Sequence, residues 1–396
     1  MNVLLVTTLY PGYKGQSRIE VSYALHQFAK EWIFAGHNVK IVRLWPKLPI
    51  LIDNRKEARR YRKDETVNLE GVDVNIVTIK RYPKIDYLKN HKNNTISKIM
   101  HNLEIGFQPD IIVCHMMNPS LYISKKLKEK WNVPLVLTMH QTDIKQLTNM
   151  SSRYNEYLTL EPFIDRLGFR SNALMKQYNQ LDLPNKDNFV INSGIEKNLI
   201  MEEKKLKSKI NFGGNVIFVA SSMIPRKNIG AIIKAFEMIA RKQEIYLKIA
   251  GDGPEKEKIL KMIDNSKVKG KIEYLGYITR DSVLDYMEKS NIFVLVSSLE
   301  TFGLVYLEAM AKGCITIGSK GEGVDGIIKD GLNGYLCEPR NIDDLVHTLS
   351  RVLNLDINTR TQIIENAVNT ARIMTQEKIA NDYLNILRNT IEERKL

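Results

Sequence analysis

Residues 292–312 read Ile292-Phe293-Val294-Leu295-Val296-Ser297-Ser298-Leu299-Glu300-Thr301-Phe302-Gly303-Leu304-Val305-Tyr306-Leu307-Glu308-Ala309-Met310-Ala311-Lys312. The first five are continuously apolar, which predicts a strand over 292–296 with both faces buried. Residues 304–312 carry helical spacing, so a helix should begin just after Gly303. A second apolar run, 315–318, follows at once. Strand, helix and strand in so short a span make the unit of a parallel sheet, because parallel neighbours need a crossover connection.

The same alternation extends in both directions. In the second half, strands are expected at 216–220, 245–250 and 272–275, with helices at 228–241, 255–262 and 280–289. In the first half, strands are expected at 3–8, 38–44, 111–114, 135–138 and 189–191, and 19–35 has helical spacing. The rhythm breaks at Glu202-Glu203-Lys204-Lys205, continuing through Lys207, Lys209, Gly213 and Gly214. The predicted fold class is therefore α/β, with two Rossmann-like parallel sheets. The expected domains are 1–195, a linker at 196–214, a second domain at 215–374, and a final helix in 375–396 that crosses back to the first. Two such sheets imply a central cleft, with the chemistry in the loops that follow strands.

Composition agrees with a soluble enzyme. The chain has 396 residues, enough for two domains, with 43% hydrophobic and 26% charged residues. No apolar run approaches the ~18–20 residues that span a bilayer. The N-terminal Met1-Asn2-Val3-Leu4-Leu5-Val6 reads as a first strand and not as a signal peptide. The three cysteines, Cys114, Cys314 and Cys337, are far apart, so neither disulfides nor a thiolate metal site is expected. These features together point to a reducing, cytoplasmic setting.

The net charge is +13. Part of the excess clusters in Arg55, Lys56, Arg59, Arg60, Arg62 and Lys63, followed by Lys80, Arg81, Lys84, Lys89 and Lys92. A basic N-terminal half can meet an anionic membrane surface or an acidic acceptor. The plainer alternative is a solvated charged face. No helix-turn-helix, zinc-finger or RNP-type pattern accompanies the charge, so nucleic acid is not an expected partner.

Several loops after strands carry candidate chemistry. Backbone N–H groups at Gly303 and Leu304, where a helix begins, suit a diphosphate. Glu300 precedes that helix, and Glu308 lies one turn past Leu304 on the same side. Carboxylates accept hydrogen bonds from sugar hydroxyls, so one can serve a sugar and the other a ribose. As a plain alternative, the two are surface glutamates near a helix start. Ser221-Ser222-Met223-Ile224-Pro225-Arg226-Lys227-Asn228 joins a strand to a helix, and the cations Arg226 and Lys227 there call for an anion. Gly251-Asp252-Gly253-Pro254 reads mainly as a turn. In the first half, Tyr10-Pro11-Gly12-Tyr13-Lys14-Gly15 is a flexible loop after a strand. His115 ends a strand run, and Met139-His140-Gln141-Thr142-Asp143 follows another. No Asp-x-Asp occurs, so no metal on a diphosphate is expected. No Gly-x-Ser-x-Gly elbow and no P-loop is present.

The stretch from Glu300 to Glu308 resembles the Glu-x7-Glu motif of retaining glycosyltransferases, and most resembles glycosyltransferase family 4, of GT-B fold. Gly313, Gly318, Gly323, Asp330-Gly331, Asn333-Gly334 and Pro339 resemble the glycine-rich run that follows that motif. The resemblance spans nearly the whole chain and is strongest from Val216 to Pro339. It implies transfer, with retention, of a sugar from a nucleotide-diphosphate sugar. It implies Glu300 on the sugar hydroxyls, Glu308 on the ribose, Lys227 on the diphosphate, and Gly303 and Leu304 as backbone donors beside Phe302. The loop at Tyr277 and Ile278 would lie against the base, and His140, in a His-Gly-x-Asp-like pattern with Asp143, would sit beside the transferred sugar. Gly15 and His115 would belong to the acceptor or sugar side. Ser221 stands where the family has an Arg, with Arg226 as the compensating cation. The expected acceptor is a glycan or lipid-linked oligosaccharide for a surface polysaccharide such as a capsule, with the enzyme peripheral at the inner membrane face. The alternatives are a nucleotide-sugar epimerase of the same architecture, against which Glu-x7-Glu argues, and a non-catalytic binding subunit, against which the retained Glu300, Glu308 and Lys227 argue.

Overall fold

The computed structural model describes residues 1–16, 21–49, 63–82, 87–103, 106–184, 187–212 and 215–394. The chain forms two compact units: 1–170, 174–192 and 376–396 in the first, and 171–173 with 193–375 in the second.

In the second unit, six parallel strands are β9 (Val216–Ala220), β10 (Tyr246–Ala250), β11 (Ile272–Gly276), β12 (Ile292–Val294), β13 (Ile315–Ser319) and β14 (Tyr335–Cys337). Their order is β11-β10-β9-β12-β13-β14. The run from 292 is apolar because Ile292, Phe293 and Val294 are all nearly or fully buried. Strand order reverses between β9 and β12, so the crevice beyond their carboxyl ends is where such a sheet takes a ligand. Helices Ile229–Ala240 and Leu304–Ala311 start from the loops after these two strands.

The first unit has β1 (Asn2–Thr7), β2 (Asn38–Lys47), β3 (Glu65–Leu69), β4 (Val72–Lys80), β5 (Ile111–His115), β6 (Leu135–Met139), β7 (Arg166–Phe169) and β8 (Asn188–Val190). The order β3-β4-β2-β1-β5-β6-β7-β8 is parallel except for the edge strand β3, which pairs antiparallel with β4. The switch here lies between β1 and β5. Helix Gln376–Glu393 belongs to this unit: Trp32 Nε1 donates to Ala380 O at 3.0 Å, and Tyr383 packs edge-on to Phe28 and Trp32.

Two expectations need correction. The stretch expected as a linker contains the helix Glu203–Phe212. Leu206 and Ile210, one turn apart, are buried in the second unit's core, and Lys209 Nζ donates to Lys312 O at 2.6 Å and Met287 O at 2.9 Å. An amphipathic period outweighs a charged composition there. The hairpin β3–β4 was not anticipated. Its turn, Glu70-Gly71, has both residues at positive φ (49° and 87°), the conformation that a tight two-residue turn requires. Most of the basic cluster, Arg55 to Arg62 together with Lys84, and also Gly213 and Gly214, lies outside the described residues.

Candidate active site

The loop after β9 is tied to the loop after β12. Asn228, at φ 52°, donates from Nδ2 to Val296 O at 2.7 Å and to Ser298 Oγ at 3.1 Å. Ser298 N–H donates to Arg226 O at 2.7 Å. Between these ties, Pro225–Lys227 forms one turn of 3₁₀ helix. The result is that Lys227 Nζ donates to Glu300 Oε2, while Arg226 Nη1 lies 3.5 Å from the same oxygen. The side chains of Lys227 and Glu300 are 11% and 12% exposed, so the pair is largely withdrawn from water. Two cations and a carboxylate thus sit at the switch point. The anion that the basic turn called for is met here by Glu300 itself.

Glu300 is fixed from behind by the loop after β13. Its N–H donates to Glu322 Oε2 at 2.7 Å, and its carbonyl accepts from Gly323 N–H at 2.9 Å. A Cβ on Gly323 would lie 2.3 Å from the Thr301 carbonyl, so that close approach requires glycine. Gly303, at φ 79°, is a second enforced glycine, since its Cβ would meet the Tyr306 ring at 2.5 Å. Tyr306 cannot yield, because it is 1% exposed and its hydroxyl donates to Leu295 O at 2.7 Å. Gly303→Ala should cost about 1–3 kcal/mol of stability in denaturant titration through strain and overpacking; an unchanged midpoint would show that this turn adapts. Phe302 is buried beside it, and Leu304 opens the helix.

Glu308 is buried and does not join this pair. It accepts from Arg280 Nε at 3.0 Å and Nη2 at 2.8 Å, and Arg280 Nη1 donates onward to Glu196 Oε1 at 2.7 Å. The sequence reading missed Arg280. One signal was available: Arg280 is the first residue of helix Arg280–Lys289, where a cation opposes the helix dipole and so needs another reason to be there. Glu322 was missed as well.

Ser221 offers the site little: its Oγ donates to Ser222 O at 3.2 Å. Its carbonyl lies where a Cβ on Gly251 would fall, 1.8 Å away, and a Cβ on Gly253 would lie 2.6 Å from Met223 O. The Gly251-Asp252-Gly253-Pro254 turn therefore packs backbone against backbone under this loop. Tyr277 is 80% exposed after β11, and Ile278 is half-buried. Among the described residues, no group of three or more His, Cys, Asp or Glu side chains is placed to hold a metal ion.

In the first unit, His115 and His140 come together. His115 Nδ1 lies 3.1 Å from His140 Nε2. Asp143 is fully buried and holds the loop: Oδ1 accepts from Met117 N–H at 2.9 Å and Oδ2 from His140 N–H at 2.8 Å. It is a brace, not a group facing a ligand, and burial lifts its carboxyl to about 6 against those two hydrogen bonds. Burial, reinforced by the Arg170 cation, lowers His140 to about 3. His115 is pulled well below its ordinary range by burial, His140 and Arg170. Both rings are therefore neutral near pH 7. Gly15, at φ 81°, has open space where a Cβ would be, so conformation alone favours glycine there.

Two family models match the chain: Glycosyltransferase Family 4 over residues 21–199 and Glycosyl transferases group 1 over residues 200–370. An uncharacterised glycosyltransferase of Methanocaldococcus jannaschii is 30% identical over 299 residues, covering 74% of this chain and 78% of that protein. N-acetyl-alpha-D-glucosaminyl L-malate synthase of Bacillus anthracis is 27% identical over 345 residues, covering 85% and 84%. The crystal structure of HepE from Anabaena in complex with UDP superposes with a TM-score of 0.73 at 17% identity, covering 98% of this chain and all of that one. The fold is the two-domain GT-B type.

Proposed function

The chain belongs to the group 1 glycosyltransferases of family 4, and from that membership we propose that it transfers a hexose-type unit, with retention, from a nucleoside-diphosphate sugar to a surface-glycan or lipid-linked acceptor. The observation that carries this reading is the Lys227–Glu300 pair at the switch point of the second sheet. A cation beside a carboxylate is what the junction of diphosphate and sugar needs. Lys227 with Arg226 neutralises charge that grows on the leaving diphosphate, and the backbone N–H groups that open helix Leu304–Ala311 add to it. Glu300 accepts hydrogen bonds from sugar hydroxyls. Glu308, held by Arg280, takes the ribose. The loop at Tyr277 and Ile278 lies against the base, and His140 serves the transferred sugar.

In a front-face retaining reaction, the acceptor oxygen bonds to the anomeric carbon as the phosphate oxygen leaves. That phosphate oxygen takes the acceptor proton, so no enzyme carboxylate needs to bond to the sugar. An alpha-linked donor transferred with retention gives an alpha product, the configuration in the name of the Bacillus anthracis relative. In this reading the diphosphate is neutralised by protein cations, without a metal.

Thermal stabilisation by UDP, GDP, ADP and dTDP, each with and without EDTA, tests the donor site. One nucleotide, with UDP the first to try because the Anabaena neighbour binds it, should raise the melting temperature equally in both conditions. No shift from any of the four would remove the donor-site reading, and a shift abolished by EDTA would remove metal independence.

A membrane-linked acceptor fits the net charge of +13 and the exposed basic residues Lys63, Lys80, Arg81 and Lys89; Lys92, expected among them, is instead buried, and its Nζ donates to Glu156 Oε1 at 2.7 Å. Among the described residues, no helix is long and apolar enough to cross a membrane. The protein should float with liposomes containing anionic lipid and be released by salt; equal behaviour with neutral liposomes would end the surface-binding proposal.

A further inference from the structure

His115 sits opposite Thr138 in the register of the parallel pair β5–β6, so both side chains leave the sheet on the same face. Tyr383 of helix Gln376–Glu393 covers that face. Its ring is fully buried, edge-on to Phe28, Trp32 and His115 with centroids 5.5, 5.4 and 6.2 Å away. Its hydroxyl lies 2.7 Å from Thr138 Oγ1 and 3.4 Å from His115 Nε2. His115 Nδ1 then reaches His140 Nε2 at 3.1 Å. Four groups from two strands, the loop after β6 and the last helix form one hydrogen-bonded line, and it ends on the half-buried His140.

Resting on the assignment of His140 to the transferred sugar, we infer that Tyr383 is a positioning residue: through the ring of His115, its hydroxyl fixes which nitrogen of His140 carries the proton and where that ring points. A neutral imidazole has one N–H and one bare nitrogen. In a line of two neutral rings, each ring donates one way and accepts the other, so the line runs in a single direction. The tyrosine hydroxyl, held by Thr138, sets that direction at the buried end. Without it, both rings can exchange tautomers, and His140 meets the sugar in the wrong form for part of the time.

The experiment uses the full chain with histidine labelled in ¹⁵N, as wild type, Tyr383→Phe and Thr138→Val. Ring resonances are assigned with His115→Gln and His140→Gln. In the wild type, His115 and His140 should each show a single neutral tautomer. In Tyr383→Phe, which keeps the ring, both should move toward tautomer averaging. The kcat should fall about tenfold, one hydrogen bond's worth of alignment, with KM for the nucleotide sugar unchanged. Thr138→Val should repeat the effect more weakly, and it decides the matter should Tyr383→Phe fail to fold. Histidine resonances that stay as in the wild type would overturn the relay. Shifted resonances with unchanged kcat would overturn its role in the reaction. A wild type that transfers no sugar would count against the proposed function, while the resonances would still decide the relay.

Discussion

Lys227→Ala should abolish the thermal shift from the cognate nucleoside diphosphate and lower kcat/KM about 10²–10³-fold. Lys227 comes from the turn after β9 and is 11% exposed along its side chain, so its charge acts with little screening by water. Its neighbour Arg226 is 41% exposed and stands farther from Glu300, which makes it the weaker substitute. The loss should fall on nucleotide binding and on the chemical step alike, because charge on the diphosphate increases as the sugar leaves. The substitution also strands the largely buried Glu300 carboxylate. Arg226 remains near it, so the variant should lose only about 1–3 kcal/mol of stability. Calorimetric titration with the cognate nucleotide, run beside a denaturation curve, separates the two effects. A folded variant that binds the diphosphate as tightly as the wild type would remove Lys227 from the site.

Glu300→Gln should act differently. Transfer should fall about a hundredfold, while affinity for the nucleoside diphosphate holds or rises. Lys227 is engaged by Glu300, so an incoming diphosphate competes with a carboxylate for the same cation. Glutamine keeps the shape, releases the lysine and removes the repulsion between carboxylate and phosphate. It cannot, however, offer the sugar hydroxyls a charged acceptor, and charge-assisted hydrogen bonds are the stronger kind. Steady-state kinetics with the nucleotide sugar and titration with the nucleotide alone give the two numbers. Affinity that drops as far as in Lys227→Ala would mean that Glu300 serves to hold the lysine and does not touch the sugar. The pair of variants thus assigns the phosphate end and the sugar end of the donor separately.

Legibility of this protein divides along a physical line. Strands such as 216–220 and 292–296 could be read because a strand buried on both faces must be apolar throughout, and that pattern is local. Helix Arg280–Lys289 was read with the bounds it has, and the final helix, Gln376–Glu393, was placed within 375–396, again from a local period. The β3–β4 hairpin was missed because its edge strand is half polar: only Leu69 of that strand is buried. The helix Glu203–Phe212 was hidden by its lysines, since composition says nothing about the one stripe that faces the core.

The sequence by itself determined the fold class, the family, and the loops in which Glu300, Lys227 and His140 lie. Each rests on runs of neighbouring residues whose periodicity or motif survives in one dimension. Tertiary structure alone decided which side chains meet. It set Lys227 against Glu300, 73 positions away, bound Glu308 to Arg280 rather than leaving it open, and brought Tyr383 to His115 across 268 positions. Such partnerships follow from strand order, and strand order is settled by how whole faces bury together, which no local stretch of sequence records.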